Sequence, residues 1–288
     1  MRILGFLEQY SSWFFSWVRS MDKFEIKKYL DDCVFVAYNV VAKLVFLASY
    51  KIRNVVKGNL VYKNKHKGER CFILGTGPSL GELSDRQIAQ LGGEYTFGLN
   101  SLYKSDVGKA LRPAYYALVD NNYWECLQST YADVVSLYKE APPVFITDPR
   151  AKGIVEEIQQ DVSAIYVYAK KYPVGQVSFE LDKDIYGLMN VVSVCIVSAM
   201  YMGFKEIYLL GCDYNAFCNF GHGHCYDDDK EMEEVSYNLA FYLKYYHITT
   251  EFHYLIAKLA KKHGVSVVNL TDVSLLDAYP RRPAASVI

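Results

Sequence analysis

An α/β fold with a doubly wound, mainly parallel sheet is what this sequence predicts. Three observations carry the prediction. Short continuous apolar runs of buried-strand length recur from Arg70 onward, and helical stretches separate them. The first run, Cys71–Leu74, ends in the glycine-rich turn Gly75-Thr76-Gly77-Pro78-Ser79. Strands alternating with helices in this way bury a parallel sheet under helices on both faces.

Each element follows from its local pattern. Tyr95–Leu99, Tyr115–Val119 and Val144–Thr147 read as the second, third and fourth strands, and Ala164–Tyr168 as a fifth. Asn190–Met202 is apolar on all sides, which suits a buried helix, and Gly203 punctuates it. Ile207–Leu210 is a further buried strand ending in Gly211-Cys212-Asp213. A helical stretch is expected from about Lys230 to Lys262, with a break near His247. Gly264 caps it, and Val265–Leu270 closes the sheet.

The first 67 residues differ from this pattern and form a separate helical segment ahead of the α/β domain over 68–288. Ile3–Val18 is rich in Phe, Trp and Leu, with Glu8 inside it and Arg19 just after it among few charges. Val34–Tyr50 is a mostly apolar run interrupted by Lys43, but shorter than the roughly 20 residues a spanning helix needs. Lys51, Arg53, Lys57, Lys63, Lys65, Lys67 and Arg70 follow. Aromatic-rich helices before a basic tract suit an interfacial anchor on an anionic membrane surface. The alternatives are a true span, or a helical hairpin packed on the catalytic domain or on another subunit of a homo-oligomer.

Composition narrows the function classes. Half of the 288 residues are apolar and the net charge is −1, so the basic excess of a nucleic-acid binder is absent. Seven scattered cysteines without a CxxC pair, and no signal-peptide pattern, place free thiols in a reducing cytoplasm. The 26 tyrosines imply many rings with the hydroxyl near water or a ligand.

Ligands in such sheets lie beyond the carboxyl ends of the strands. Four ends carry small or polar groups: the Gly75–Ser79 turn, Asn100-Ser101, Asp120-Asn121-Asn122 and Gly211-Cys212-Asp213. Two glycines allow a phosphate or ribose to approach the backbone, and a helix starting at Pro78 would favour negative charge there. The turn is neither a Walker A loop nor GxGxxG, since no GK[ST] follows and Leu80 takes the sixth place. Asn100 suits a base, ribose or phosphate.

The loop after Asp213 carries Tyr214, Asn215, His222, His224 and Tyr226, then Asp227–Asp229. Histidine can take a proton from an acceptor hydroxyl near neutral pH, and a tyrosine hydroxyl can stabilise a leaving phosphate. A competing zinc set, Cys212, Cys218, His222, His224 and Cys225, fits no closed structural spacing. The acidic run suits the start of the following helix. Asp182-Lys183-Asp184 has the form of a DxD sugar-nucleotide motif without a strand before it, and His253 and His263 are assigned no chemistry.

Three stretches carry a resemblance: ILGTGPSL at Ile73–Leu80, SVCIVSAMYMGFKEIYLLGCDYN at Ser193–Asn215, and AKKHGVSVVNLTDVSLLDAYPR at Ala260–Arg281. Over roughly Arg70 to Arg282 the chain resembles the bacterial family-42 sialyltransferases and the related motility-accessory-factor and hydroxymethylpterin-pyrophosphokinase-like proteins. The resemblance implies a Rossmann-like glycosyltransferase that takes a sugar from a CMP-activated nonulosonic acid, without a metal or other cofactor. It implies that Gly75, Thr76, Gly77, Pro78, Ser79 and Asn100 hold CMP, with Ser101, Asp120, Asn121, Asp213 and Asn215 around the same pocket. Ser193 would meet the sugar carboxylate or the phosphate, and Tyr214 and Tyr226 would bind phosphate.

The implied general base is a histidine on or after a lid spanning about 214–247. His247 keeps the sialyltransferase spacing, while His224 sits in an H-x-Y pattern like that of the broader relatives. His224 is preferred, because His247 falls in a helical stretch. Thr76 replaces the sialyltransferases' usual Asn, and Leu188-Met189 stand where a basic residue is expected. The donor sugar is therefore open among sialic acid, Kdo, pseudaminic and legionaminic acids. The acceptor would be a surface glycan of the lipopolysaccharide or capsule type, or its lipid-linked precursor, reached from the inner face of the cytoplasmic membrane. The alternative is a diphosphotransferase using ATP and Mg²⁺, which could recruit Asp213 and Asp227–Asp229.

Overall fold

A computed structural model describes residues 22–158, 162–218, 223–227 and 238–288. The aromatic segment Ile3–Val18, His222, Asp228 and Asp229 lie outside the described residues. So does the expected start of the long helix near Lys230.

The main sheet has seven strands, all parallel: β1 (Arg70–Leu74), β2 (Tyr95–Leu99), β3 (Tyr115–Leu118), β4 (Val144–Thr147), β5 (Ala164–Tyr166), β8 (Glu206–Leu210) and β9 (Ser266–Asn269). Their spatial order is β5-β4-β3-β2-β1-β8-β9. The chain moves outward from β1 to β5, returns to pair β8 with β1, and continues to β9. The strand order thus reverses between β1 and β8, which opens a crevice at their carboxyl ends.

Alternating side chains on each strand feed two cores. Cys71, Ile73, Leu99, Ala117, Ile146, Ile207 and Leu209 point to one face. That face is covered by α8 (Val191–Met202) and α9 (Leu239–Lys262). Phe72, Leu74, Tyr116, Phe145, Tyr208 and Leu210 point to the other face. There they meet α3 (Asp85–Leu91), α4 (Asp106–Ala110), α6 (Ser129–Leu137) and α7 (Lys152–Ile158). The expected doubly wound α/β architecture is present.

Helix α8 is buried along almost its whole length, as a helix apolar on all sides should be. The Asn190 side chain caps it by accepting from the Ser193 N–H, and Gly203 ends it at φ 92°.

Several local expectations change. Pro78 does open a helical turn, but that turn is the 3₁₀ segment Pro78–Glu82. So short a turn supplies no helix dipole of the kind expected after the glycines. Helix α9 runs through His247 without a break, since Asn238 caps its start and no proline or glycine interrupts it. A two-stranded ribbon of β6 (Ala169–Lys171) and β7 (Ile185–Tyr186) was not expected.

The N-terminal segment forms α1 (Lys23–Ala48) and, after a break at Ser49, α2 (Tyr50–Lys57). Among the described residues no single helix is long and apolar enough to cross a membrane. The pair Lys23–Ala48 and Tyr50–Tyr62 passes together by length and composition, but it is bent by 86°. One face of α1 is joined to the sheet domain. Asn39 donates to the Tyr172 carbonyl at 2.8 Å and accepts from its N–H at 2.7 Å. Phe35 stacks on the Tyr172 ring, and Lys43 pairs with the buried Asp184 at 2.5 Å. The opposite face leaves Leu30, Val34, Val41 and Val45 exposed.

Candidate active site

A cleft of about 820 Å³ opens where the strand order reverses. Its wall takes residues from the ends of β1, β2, β3, β4 and β8, from β6, and from α9. Gly75, Thr76, Gly77, Asn100, Asp120, Asn121, Asp213, Tyr214, Asn215 and His224 all line it. Most of the residues singled out in the sequence therefore converge.

The glycines act differently from expectation. The Gly75 and Gly77 amides donate to the carbonyls of Leu210 at 2.7 Å and Gly211 at 2.8 Å. The Ser79 amide donates to Asp213 Oδ1 at 3.3 Å. A Cβ on Gly75 would lie 2.4 Å from the Gly211 oxygen, and one on Gly77 would lie 1.9 Å from Asp213 Oδ2. The absent side chains thus let the ends of β1 and β8 lock together. Of the amides in Gly75-Thr76-Gly77, only that of Thr76 lacks a protein partner among the described residues. The turn is a braced ledge and not a ring of free N–H donors.

Asp213 holds that ledge. It is buried, and its Oδ2 accepts from the Ser79 hydroxyl at 2.8 Å. The Cys225 N–H donates to the Thr76 carbonyl at 2.9 Å, tying the His224 segment to the ledge. His224 stacks on Tyr226 with ring centroids 5.0 Å apart.

Asn100 adopts φ 47°, and its buried Oδ1 has no partner among the described residues. A buried acceptor left unpaired costs about 1–3 kcal/mol, so this oxygen is positioned for a donor group on a ligand. Met189 and Tyr214 are also at positive φ, at 51° and 57°, and both line the cleft. Three of the four described non-glycine residues in this conformation therefore sit at one site, as functional strain does.

Other expected residues stand back from the cleft. Ser193 is fully buried on α8, with Oγ 3.2 Å from His253 Nε2, so it cannot meet a ligand as expected. Pro78, Ser79, Ser101 and Tyr226 do not line the cleft; Ser79 supports it through Asp213. His247 is exposed on α9 and is also absent from the lining, because the inward face of that helix is taken by other residues. Asp182 and Asp184 face lysines of the N-terminal segment, Lys63 at 3.8 Å and Lys43, and are structural anchors instead of a sugar-nucleotide site. Among the described residues no group of three or more His, Cys, Asp or Glu is arranged to hold a metal ion.

The structure adds residues that the sequence reading passed over. Asp148 and Arg150 follow β4 directly, and Lys170 lies on β6. The Arg150 guanidinium lies 4.8 Å from the Trp124 ring centroid and donates from Nε to Asp148 Oδ1 at 2.8 Å. Tyr245 and Tyr246 enter from α9, and the Tyr245 hydroxyl donates to the Met189 carbonyl at 2.8 Å. Burial pushes the Tyr245 hydroxyl up to about 12, so it stays a neutral donor. His253 sits behind Tyr214, its rings crossing edge to face, and burial pulls it down to about 3.

No family model matches the chain, and no curated protein does. Some solved structures are similar to it over much of its length. The sialyltransferase CstII from Campylobacter jejuni, in complex with a substrate analogue, cytidine-5'-monophosphate, is 15% identical. That match covers 76% of this chain and 86% of the other, with a TM-score of 0.47. The same enzyme with trisaccharide acceptor and CMP is 16% identical over 74% of this chain and 85% of that one, with a TM-score of 0.45. The MAf glycosyltransferase from Magnetospirillum magneticum AMB-1 is 15% identical with a TM-score of 0.47. Here 82% of this chain is covered but only 39% of the longer one.

Proposed function

We propose that the protein is a CMP-sugar-dependent glycosyltransferase that moves a nonulosonic-acid-type sugar onto a surface-glycan acceptor. The observation that carries this reading is the joining of His224 to the Gly75–Gly77 ledge, through Cys225 and Thr76, beside the unpaired Asn100 oxygen. A nucleotide resting against that ledge would present a base amino group to Asn100. Its leaving phosphate would lie near the free Thr76 N–H.

The chemistry needs few protein groups. His224 takes the proton of an acceptor hydroxyl, the oxygen attacks the anomeric carbon, and the bond to phosphate breaks to release CMP. The departing electron pair stays on the phosphate oxygen, so catalysis rests on positioning and on stabilising that charge. No metal is required by this route.

The N-terminal helices support a peripheral position on the inner face of the cytoplasmic membrane. Leu30, Val34, Val41 and Val45 form one exposed apolar stripe on α1, and Lys51 and Lys57 lie exposed just beyond it. That pairing of surfaces suits an anionic leaflet.

A thermal-shift panel of CMP, CDP, UDP, GDP and ATP with Mg²⁺ tests the assignment. Selective stabilisation by CMP, unaffected by EDTA, is expected. A response to ATP with Mg²⁺ alone would sink it and favour a diphosphotransferase.

A further inference from the structure

A second hollow of about 350 Å³ adjoins the cleft and shares Asp148, Arg150 and Lys170 with it. Its remaining wall is Ile52, Pro149 and Tyr168. Ile52 lies on α2, and together with Phe46, Val56 and Tyr168 it belongs to the apolar cluster that joins α1 and α2 to the catalytic part. Joined across those three shared residues, the two hollows would make one path from the nucleotide ledge to the root of the N-terminal helices. The path is cationic at its middle and apolar at its far end.

The two cations at that midpoint are not used up by the fold. Arg150 spends Nε and Nη2 on Asp148, at 2.8 and 3.1 Å, with Nη2 also 3.4 Å from Asn121 Oδ1. Its Nη1 donors have no partner among the described residues. Asp148 and the Trp124 ring fix the guanidinium plane, which pre-orders the remaining donors for an oxyanion. Lys170 forms no ion pair among the described residues. A rigid guanidinium and an unpaired ammonium on one path constitute a receptor for a phosphate group.

We propose that Arg150 and Lys170 bind the phosphate head of a lipid-linked acceptor, with its chain leaving past Ile52 and Tyr168 toward α1 and α2. This rests on the transferase reading and names the acceptor class for that same site. It places the acceptor on the β4–β6 side of the cleft and the nucleotide on the β1–β8 side, so both can be bound together. The apolar end of the path distinguishes a lipid phosphate from free phosphate, which would gain nothing from Ile52 and Tyr168.

The experiment is calorimetric titration of the full chain with farnesyl monophosphate and, separately, inorganic phosphate, each with and without saturating CMP. Wild type should bind farnesyl monophosphate whether or not CMP is present, and bind inorganic phosphate much more weakly. Lys170→Gln and Arg150→Gln should each weaken farnesyl monophosphate about tenfold and leave CMP affinity within about twofold. Because Lys170 supports no other side chain, K170Q separates loss of the site from loss of the fold.

Unchanged farnesyl monophosphate affinity in K170Q overturns the proposal. So does competition between that ligand and CMP, or a fall in CMP affinity in K170Q, either of which would give the cations to the donor. Equal affinity for inorganic phosphate removes the lipid. If wild type binds farnesyl monophosphate but not CMP, the transferase reading fails while the anion site stands.

Discussion

His253 makes the fold sensitive to mild acid, and the size of the effect follows from its surroundings. It lies on the inward face of α9, fully buried, between the Ser193 hydroxyl and the Tyr279 hydroxyl, which is 3.0 Å from Nδ1. Among the described residues no carboxylate faces it, so nothing there offsets the cost of charging it. Burial alone pulls its pKa from 6.5 to about 3. Between those values the unfolded chain binds a proton that the folded chain does not, so stability rises with pH through this window. The contribution is complete above pH 6.5 and drains away as pH falls toward 3, at about 1.4 kcal/mol per unit. From pH 7.5 to pH 5, about 2 kcal/mol is lost through this one group. Urea unfolding of wild type and His253→Gln at both pH values isolates it, since glutamine keeps both polar contacts and does not titrate. The advantage of wild type over H253Q should shrink by about 2 kcal/mol on acidification. Parallel pH dependence in the two proteins would refute the reasoning.

Three further outcomes follow from the site and its supports. Gly77→Ala pushes a methyl group against Asp213 Oδ2 and, at 2.7 Å, against the Gly211 carbonyl. It should cost about 1–3 kcal/mol in thermal unfolding and abolish the CMP-induced shift; a wild-type response would mean that the ledge yields. His224→Ala should lower turnover about 10²–10⁴-fold with CMP binding retained, while His247→Ala leaves turnover unchanged; the opposite pattern in steady-state assays would move the base to α9. Lys43→Ala leaves the buried Asp184 with only Lys171, at 3.5 Å, whose own pKa is lowered by burial. A loss of about 1–3 kcal/mol is expected in urea unfolding, and an unchanged midpoint would show that the Asn39 hydrogen bonds and the ring contacts hold α1 without this pair.

The sheet was legible because each strand is a continuous apolar run and the ledge is written in glycines. Helix α8 was equally legible, but its consequence was missed: a helix buried on all sides cannot offer Ser193 to a ligand. The α9 periodicity held the answer for His247. Thr249, Phe252, His253, Ile256 and Ala260 mark the buried stripe, and His247 lies about 120° around the helix from His253. Asp148-Pro149-Arg150 ends a predicted strand and belonged among the strand ends from the start. What no local pattern could show is that the Gly75 and Gly77 amides face β8 instead of a ligand, because that depends on strands more than a hundred residues apart. The ribbon of β6 and β7 is likewise invisible in sequence, being very short and lysine-bearing.

The seam between the N-terminal helices and the sheet has a practical meaning for anyone cutting the chain. Asn59 donates to the carbonyls of Tyr166 and Leu181 and accepts from the Tyr166 N–H. The His66 ring lies 2.6 Å from the Tyr115 hydroxyl and stacks on Phe204. Starting a truncated protein at residue 68, where composition suggests a boundary, would strip caps from β5 and leave interior rings facing water. A less apolar outer surface is better sought by recolouring the outer stripe of α1, with Leu30, Val34, Val41 and Val45 made polar, because those four exposed side chains can change without unpicking a single stitch.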